Sequence, residues 1–167
     1  MEKVLELCRC VERVRDTQGR GRSVVFTNGC FDLLHVGHVR YLTAARGYGD
    51  FLVVGLNSDR SVVSVKGPLR PIVCQQERAE VLAALECVDC VTIFDEPDPY
   101  RLIDRLRPQI LVKGADWAEG AIVGADLVKR SGGRVVRIPV SEGKSTSELV
   151  RRIVKRYGRL SSAQVLP

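Results

Sequence analysis

The chain holds only two histidines in 167 residues, and these, His35 and His38, flank Val36-Gly37. Three apart on the first turn of a helix, both imidazoles share one face. They follow an apolar run, Ser23-Val24-Val25-Phe26-Thr27, that reads as a buried strand, with Asn28-Gly29-Cys30-Phe31-Asp32-Leu33-Leu34 as the connection. The free N–H groups and the dipole at such a helix start favour an anion. Gly37 lets the backbone approach a ligand with no side chain between them. Backbone donors, two titratable donors and close access together suit a polyphosphate. Capping or core packing would explain a lone histidine better than this pair. A metal site would need further ligands, and Asp32 is the only carboxylate close by in sequence.

Other polar residues stand where apolar runs end. Lys66 is either a surface lysine or one that a Lys-Gly-Pro loop closes over a triphosphate. Arg70 offers phosphate a planar donor fork. Arg78 lies in a helical pattern otherwise read as packing, so core and ligand roles weigh equally. Asp116, beside Trp117, either accepts hydrogen bonds from sugar hydroxyls or caps the next turn. Gly143-Lys144-Ser145-Thr146 has the look of a phosphate loop, but the glycine required five residues earlier is Ile138. Ser145 and Glu148 instead make a capping box, which is compatible with phosphate contacts at that helix start.

The elements that must position these residues alternate. Amphipathic helix is predicted over 2–16 and 75–86, and further helix over 37–47, 58–65, 98–106, 121–131 and from about Ser145 to Tyr157. Between them lie short, continuously apolar strands at 23–27, 51–56, 91–94, 110–112 and 134–138. Continuous rather than alternating apolar strands indicate a parallel sheet covered on both faces. The expected fold is α/β, a Rossmann-like doubly wound five-stranded parallel sheet with helices on both faces. Such sheets bind ligands at the carboxyl ends of their strands. No GxGxxG follows any strand, which argues against a dinucleotide dehydrogenase.

Composition narrows the class further. No apolar run is long enough to span a bilayer, and the start Met1-Glu2-Lys3-Val4-Leu5-Glu6 has no signal-peptide core. A soluble, cytoplasmic protein is expected, with no membrane partner. Six cysteines then read as free thiols rather than disulfides, and Cys87-Val88-Asp89-Cys90 as a poor zinc site. The net charge of +6 is concentrated near the C-terminus in Arg151, Arg152, Lys155, Arg156 and Arg159. With few aromatics to stack bases, this reads as a solvated helix face, and no nucleic-acid partner is expected.

Gly29-Cys30-Phe31-Asp32 followed by His35-Val36-Gly37-His38 resembles the HxGH signature of the nucleotidylyltransferase superfamily, in its cytidylyltransferase-like branch. The likeness runs in order through Asn57-Ser58-Asp59, Lys66-Gly67-Pro68-Leu69-Arg70-Pro71, Glu77-Arg78, Leu111-Val112-Lys113-Gly114-Ala115-Asp116 and Gly143-Lys144-Ser145-Thr146-Ser147. In these segments it is most similar to stand-alone heptose 1-phosphate adenylyltransferases. Lys144 and Glu148 depart from that family's usual late segment.

The length suits one domain over 1–167, with 1–20 an N-terminal helix and connection and 158–167 a frayed tail, and the resemblance, which covers 23 to about 155, makes it a nucleotidyltransferase domain by expectation. The resemblance implies transfer of AMP from ATP to a heptose 1-phosphate. His35, His38 and Lys66 would be catalytic. Thr27, Asn28, Gly29, Cys30, Phe31, Gly37, Lys113, Gly114, Ser145, Thr146 and Ser147 would bind nucleotide. Asp32, Asn57, Asp59, Arg70, Arg78, Asp116 and Trp117 would bind the acceptor. Magnesium would arrive with ATP and take few or no protein ligands. A histidine near its ordinary pKa of about 6.5 can be cationic beside a triphosphate. A separate sugar kinase and a homodimer are also expected. Other acceptors such as glycerol 3-phosphate, a different nucleotide, or a non-catalytic nucleotide sensor stand as alternatives.

Overall fold

A computed structural model of the chain describes residues 2–139 and 145–158. Five strands form one parallel sheet: β1 Val24–Gly29, β2 Phe51–Asn57, β3 Cys90–Phe94, β4 Ile110–Gly114 and β5 Arg134–Ile138, in the order β3-β2-β1-β4-β5. The chain steps outward from β1 to β3, then returns to the other side of β1 at β4. The order therefore reverses between β1 and β4, where an open α/β sheet forms its ligand crevice.

Side chains alternate between two cores, as the strand period of two requires. Val24, Phe26, Val53 and Leu111 pack beneath α1 (Leu7–Gly19), α5 (Tyr100–Leu106) and α6 (Ala125–Arg130). Val25, Leu52, Val54 and Val112 pack beneath α2 (Val36–Arg46) and α4 (Gln75–Ala83). Two more helices, α3 (Asp59–Lys66) and α7 (Thr146–Tyr157), follow β2 and β5. Among the described residues no helix is long and apolar enough to cross a membrane.

The largest departures from the sequence-based boundaries are in α1 and α6, while α4 ends three residues early, at Ala83. The first helix begins at Leu7, not near Glu2. Val91 donates its N–H to the Lys3 carbonyl (2.8 Å), and Leu5 donates to the Val91 carbonyl (2.9 Å). The first residues thus satisfy the open edge of β3 rather than adding a helical turn. The helix expected over 121–131 is shortened to Ala125–Arg130, preceded by a 3₁₀ turn at Glu119–Ala121. Gly124 separates the two at φ 82°, where a Cβ would lie 2.5 Å from the Ile103 side chain. Only glycine fits that turn against α5. Gly143, Lys144 and the tail beyond Gly158 lie outside the described residues.

Candidate active site

Strand β1 delivers the chain to the crevice through Asn28 and Gly29. Asn28 Oδ1 accepts a hydrogen bond from Lys113 Nζ at the end of β4, so one polar bridge spans the two strands of the switch point. Burial pushes Lys113 down to about 8, opposed by the charges of Asp116 and Cys30. The ammonium also lies 5.6 Å from the centre of the half-exposed Trp117 ring. Gly114 ends β4. Its carbonyl accepts from the Trp117 N–H, which turns Asp116 outward into solvent at the same sheet edge.

Beyond Gly29 the chain turns sharply. Phe31 has φ 42°, in the left-handed region, and its ring folds back over Gly29. A Cβ at Gly29 would meet that ring at 3.1 Å, which explains the glycine. The other edge of the Phe31 ring meets His38, with ring centres 5.4 Å apart.

His35 is the N-cap of α2, in extended backbone, and its carbonyl accepts from the His38 N–H (2.9 Å). Gly37 lies between them in the first turn. The two imidazoles stack with centres 3.9 Å apart and planes 19° from parallel. Burial, helped by the charge of His35, holds His38 down at about 4. In the ligand-free protein His38 is therefore neutral at physiological pH, in contrast to a cation near 6.5. Its Nδ1 is buried with no hydrogen-bond partner among the described residues.

A second helix start converges on this turn. Thr146, the first residue of α7, donates from Oγ1 to the Leu33 carbonyl at 3.4 Å. Ser145 is the N-cap and accepts from the Glu148 N–H, while Ser147 is exposed in the same turn. The start of α7 thus reaches the connection that leads into the start of α2, and helix starts favour anions.

Cations also gather around the loop after β1. Burial pushes the Cys30 thiol up, while the charges of Lys66, Arg78 and Arg70 pull it down, so all three cations act on one loop. Lys66 ends α3 with its side chain exposed. Arg70 Nε donates to Asp32 Oδ2 at 2.6 Å.

Several expected ligands are hydrogen-bonded within the protein. Thr27 is wholly buried, and its hydroxyl bonds Tyr41 Oη (2.8 Å), which donates onward to the Val112 carbonyl. Burial pushes Tyr41 up to about 12, so it remains a donor. Asp32 is a buried carboxylate that accepts from Arg70, Ile72 N and Val73 N, which leaves it little capacity for an acceptor substrate. Asn57 is buried and donates to Ser61 Oγ. Arg78 has no exposed side-chain surface and bonds Asp59, Val73 and Cys30. Each of these four side chains is engaged in holding neighbouring segments together. Asp59 keeps part of its surface exposed beyond its pair with Arg78.

The cytidylyltransferase-like family model matches residues 26–158, a stretch that includes every element of the crevice. The chain belongs to the cytidylyltransferase-like family. It is 56 % identical over 153 residues to the bifunctional protein HldE of Syntrophotalea carbinolica, a match covering 89 % of this chain and 31 % of that protein. The bifunctional protein HldE of Trichlorobacter lovleyi is 53 % identical over 146 residues, covering 87 % and 30 %. The chain therefore spans about a third of the length of these relatives. A solved structure of the lipopolysaccharide core biosynthesis protein from Thermoplasma volcanium superposes with a TM-score of 0.63 at 28 % identity. That match covers 73 % of this chain and all of the other.

Tyr41 is the residue of this cytidylyltransferase-like site that sequence reasoning missed. Its position three after His38, on the same helical face, was the available signal. The depressed His38 also makes a prediction. The unfolded chain takes up the proton near 6.5, whereas the folded chain resists until about 4. Stability from this group is thus fully present above about 6.5 and is lost as pH falls towards 4. The melting temperature of the wild type should fall over that window more steeply than that of His38→Gln, and the two slopes should agree above it.

Proposed function

We propose that this cytidylyltransferase-like chain transfers AMP from ATP to a heptose 1-phosphate, releasing pyrophosphate and forming ADP-heptose. The observation that carries the reading is the stacked His35–His38 pair at the start of α2, met by the start of α7 at the β1/β4 switch point. The acceptor's phosphate oxygen attacks the α-phosphorus of ATP in line. The bond from that phosphorus to the bridging oxygen breaks, and pyrophosphate leaves with the electron pair. No protein nucleophile is needed, so catalysis is positioning and stabilisation of spread charge. His35 and His38 donate hydrogen bonds to phosphate oxygens. The backbone from Gly29 to Phe31, with Asn28 and Lys113, receives the α-phosphate region. Lys66 and the N–H groups at Ser145–Ser147 receive the departing pyrophosphate. Arg70, Asp116 and Trp117 face the acceptor.

Magnesium fits as a passenger on the nucleotide. Asp32, the carboxylate nearest the histidines in sequence, is already engaged by Arg70 and two backbone N–H groups. Bound to phosphate oxygens, the ion would neutralise part of their charge. The resemblance in the Lys66–Pro71 and Leu111–Asp116 segments supports heptose as the acceptor. A sugar kinase activity would supply the sugar 1-phosphate. We place the reaction in the cytoplasm, where ATP is available and thiols stay reduced. A homodimer is the expected assembly, testable by light scattering.

The experiment is pyrophosphate release from ATP, CTP and GTP against a panel of sugar and alcohol phosphates. The reading predicts the highest kcat/KM for ATP with a heptose 1-phosphate. Greater activity with glycerol 3-phosphate or CTP would reassign the substrate, and ATP binding without turnover on any acceptor would make the chain a sensor. Lys113 adds a pH signature. Its charge is half lost at about pH 8 and falls further above it, so affinity for an ATP analogue should weaken by up to about tenfold per unit well above pH 8. Calorimetry should show that Lys113→Met weakens binding and removes this dependence.

A further inference from the structure

Phe31 is held from both sides in a left-handed backbone conformation that is unfavourable for a non-glycine residue. Such strain persists only where the surroundings over-determine it. On one side the Asp32 carboxylate is fixed by Arg70 and by the N–H groups of Ile72 and Val73. On the other side the Cys30 carbonyl accepts from Arg78 Nη1. Arg78 also donates from Nε to the Val73 carbonyl (2.9 Å) and from Nη2 to Asp59 Oδ1 (2.7 Å). One guanidinium thus joins the loop after β1, the start of α3 after β2, and the segment before α4. Its side chain has no exposed surface, so its influence on a ligand is indirect. The planar fork matters, because a lysine ammonium is a compact donor that cannot span three segments in this geometry.

We infer that Arg78 is a positioning residue: through the Cys30 carbonyl it holds Phe31 left-handed, which presses the Phe31 ring against His38 and fixes the imidazole in the crevice. The catalytic consequence rests on the adenylyl-transfer reading above. The structural content does not.

Histidine-ring NMR tests the structural content without substrate, because the chain has only two histidines. The charged neighbour felt by His38 among the described residues is His35, and the contact from the loop is the uncharged Phe31. In the wild type, His38 should stay neutral as pH falls through 6.5. In Arg78→Lys, water gains access to the ring and its midpoint should rise by about one unit or more. Asp59→Asn, which weakens the hold on Arg78 from a partly exposed position, should shift it less and in the same direction. Phe31→Leu should reproduce the rise, and adding Arg78→Lys to Phe31→Leu should shift His38 no further. Turnover should fall about tenfold or more in Arg78→Lys, with a smaller change in KM for ATP. If Arg78→Lys does not fold, Asp59→Asn decides. A His38 midpoint unchanged from wild type in the folded variants overturns the inference, whatever turnover does. Normal turnover in His38→Ala would instead overturn the adenylyl-transfer role of the ring and leave the titration result standing.

Discussion

Replacing His38 by alanine should lower turnover by about 10²-fold or more while the sheet and its two cores remain intact. The ring is half-buried, stacked on His35 and edged by Phe31, so on the proposed reading it would meet phosphate from a fixed direction in a site partly shielded from water. A donor held this way needs no reorganisation as charge develops on the transferring phosphoryl group. A tenfold rate change corresponds to about 1.4 kcal/mol, so the expected loss is about 2.7 kcal/mol of transition-state stabilisation, typical for one preorganised donor. Because the bond tightens as the transition state forms, kcat should fall more than KM for ATP rises. Pyrophosphate release measures both. A folded His38→Ala protein with near-normal turnover would remove the ring from this role.

The largest stability effect is expected at Asp32. Its carboxylate side chain is 1 % exposed and receives Arg70 Nε at 2.6 Å, Ile72 N at 2.9 Å and Val73 N at 3.0 Å. Asp32→Ala leaves a mostly buried guanidinium without its anion and two N–H groups without an acceptor. Removing one partner of a buried pair costs about 3 kcal/mol or more, because the remaining charge is uncompensated. For a chain of this size that corresponds to a drop of roughly 10 °C in melting temperature. Asp32→Asn keeps an acceptor of the same shape and should lose less. Differential scanning calorimetry gives both values. An alanine variant melting with the wild type would show that Asp32 does not tie the 70–73 segment down. The brace should also matter for activity, since the same carboxylate fixes one side of Phe31.

The parts of this account legible in the sequence were those that depend on local pattern. Continuous apolar strands alternating with amphipathic helices indicated the parallel sheet, and β1 to β5 lie within two residues of where those runs stand. The histidine pair was legible because an uncommon residue type recurs at helical spacing directly after a strand. Ser145 was legible as a cap because its partner, Glu148, lies three residues away. What escaped depends on distant partners. Nothing local announces that Lys3 and Leu5 pair with Val91 at the edge of β3. Asn57 ends β2 and Thr27 ends the apolar run that the sequence shows for β1, positions where ligand contacts are expected, yet each turns its polar group to a neighbouring element, Thr27 to Tyr41 on α2 and Asn57 to Ser61 on α3. Arg78 and Asp32 show the same effect with charges. A polar type at the right place in the order does not reveal whether it faces the ligand or holds what does. Burial decides that, and burial is set by packing across the whole sheet.

The most direct test is a crystal structure with magnesium and a non-hydrolysable ATP analogue. The account predicts phosphate oxygens within hydrogen-bond distance of both imidazoles, with the triphosphate lying between the starts of α2 and α7. A nucleotide bound elsewhere, or phosphates that leave both rings without a contact, would contradict it.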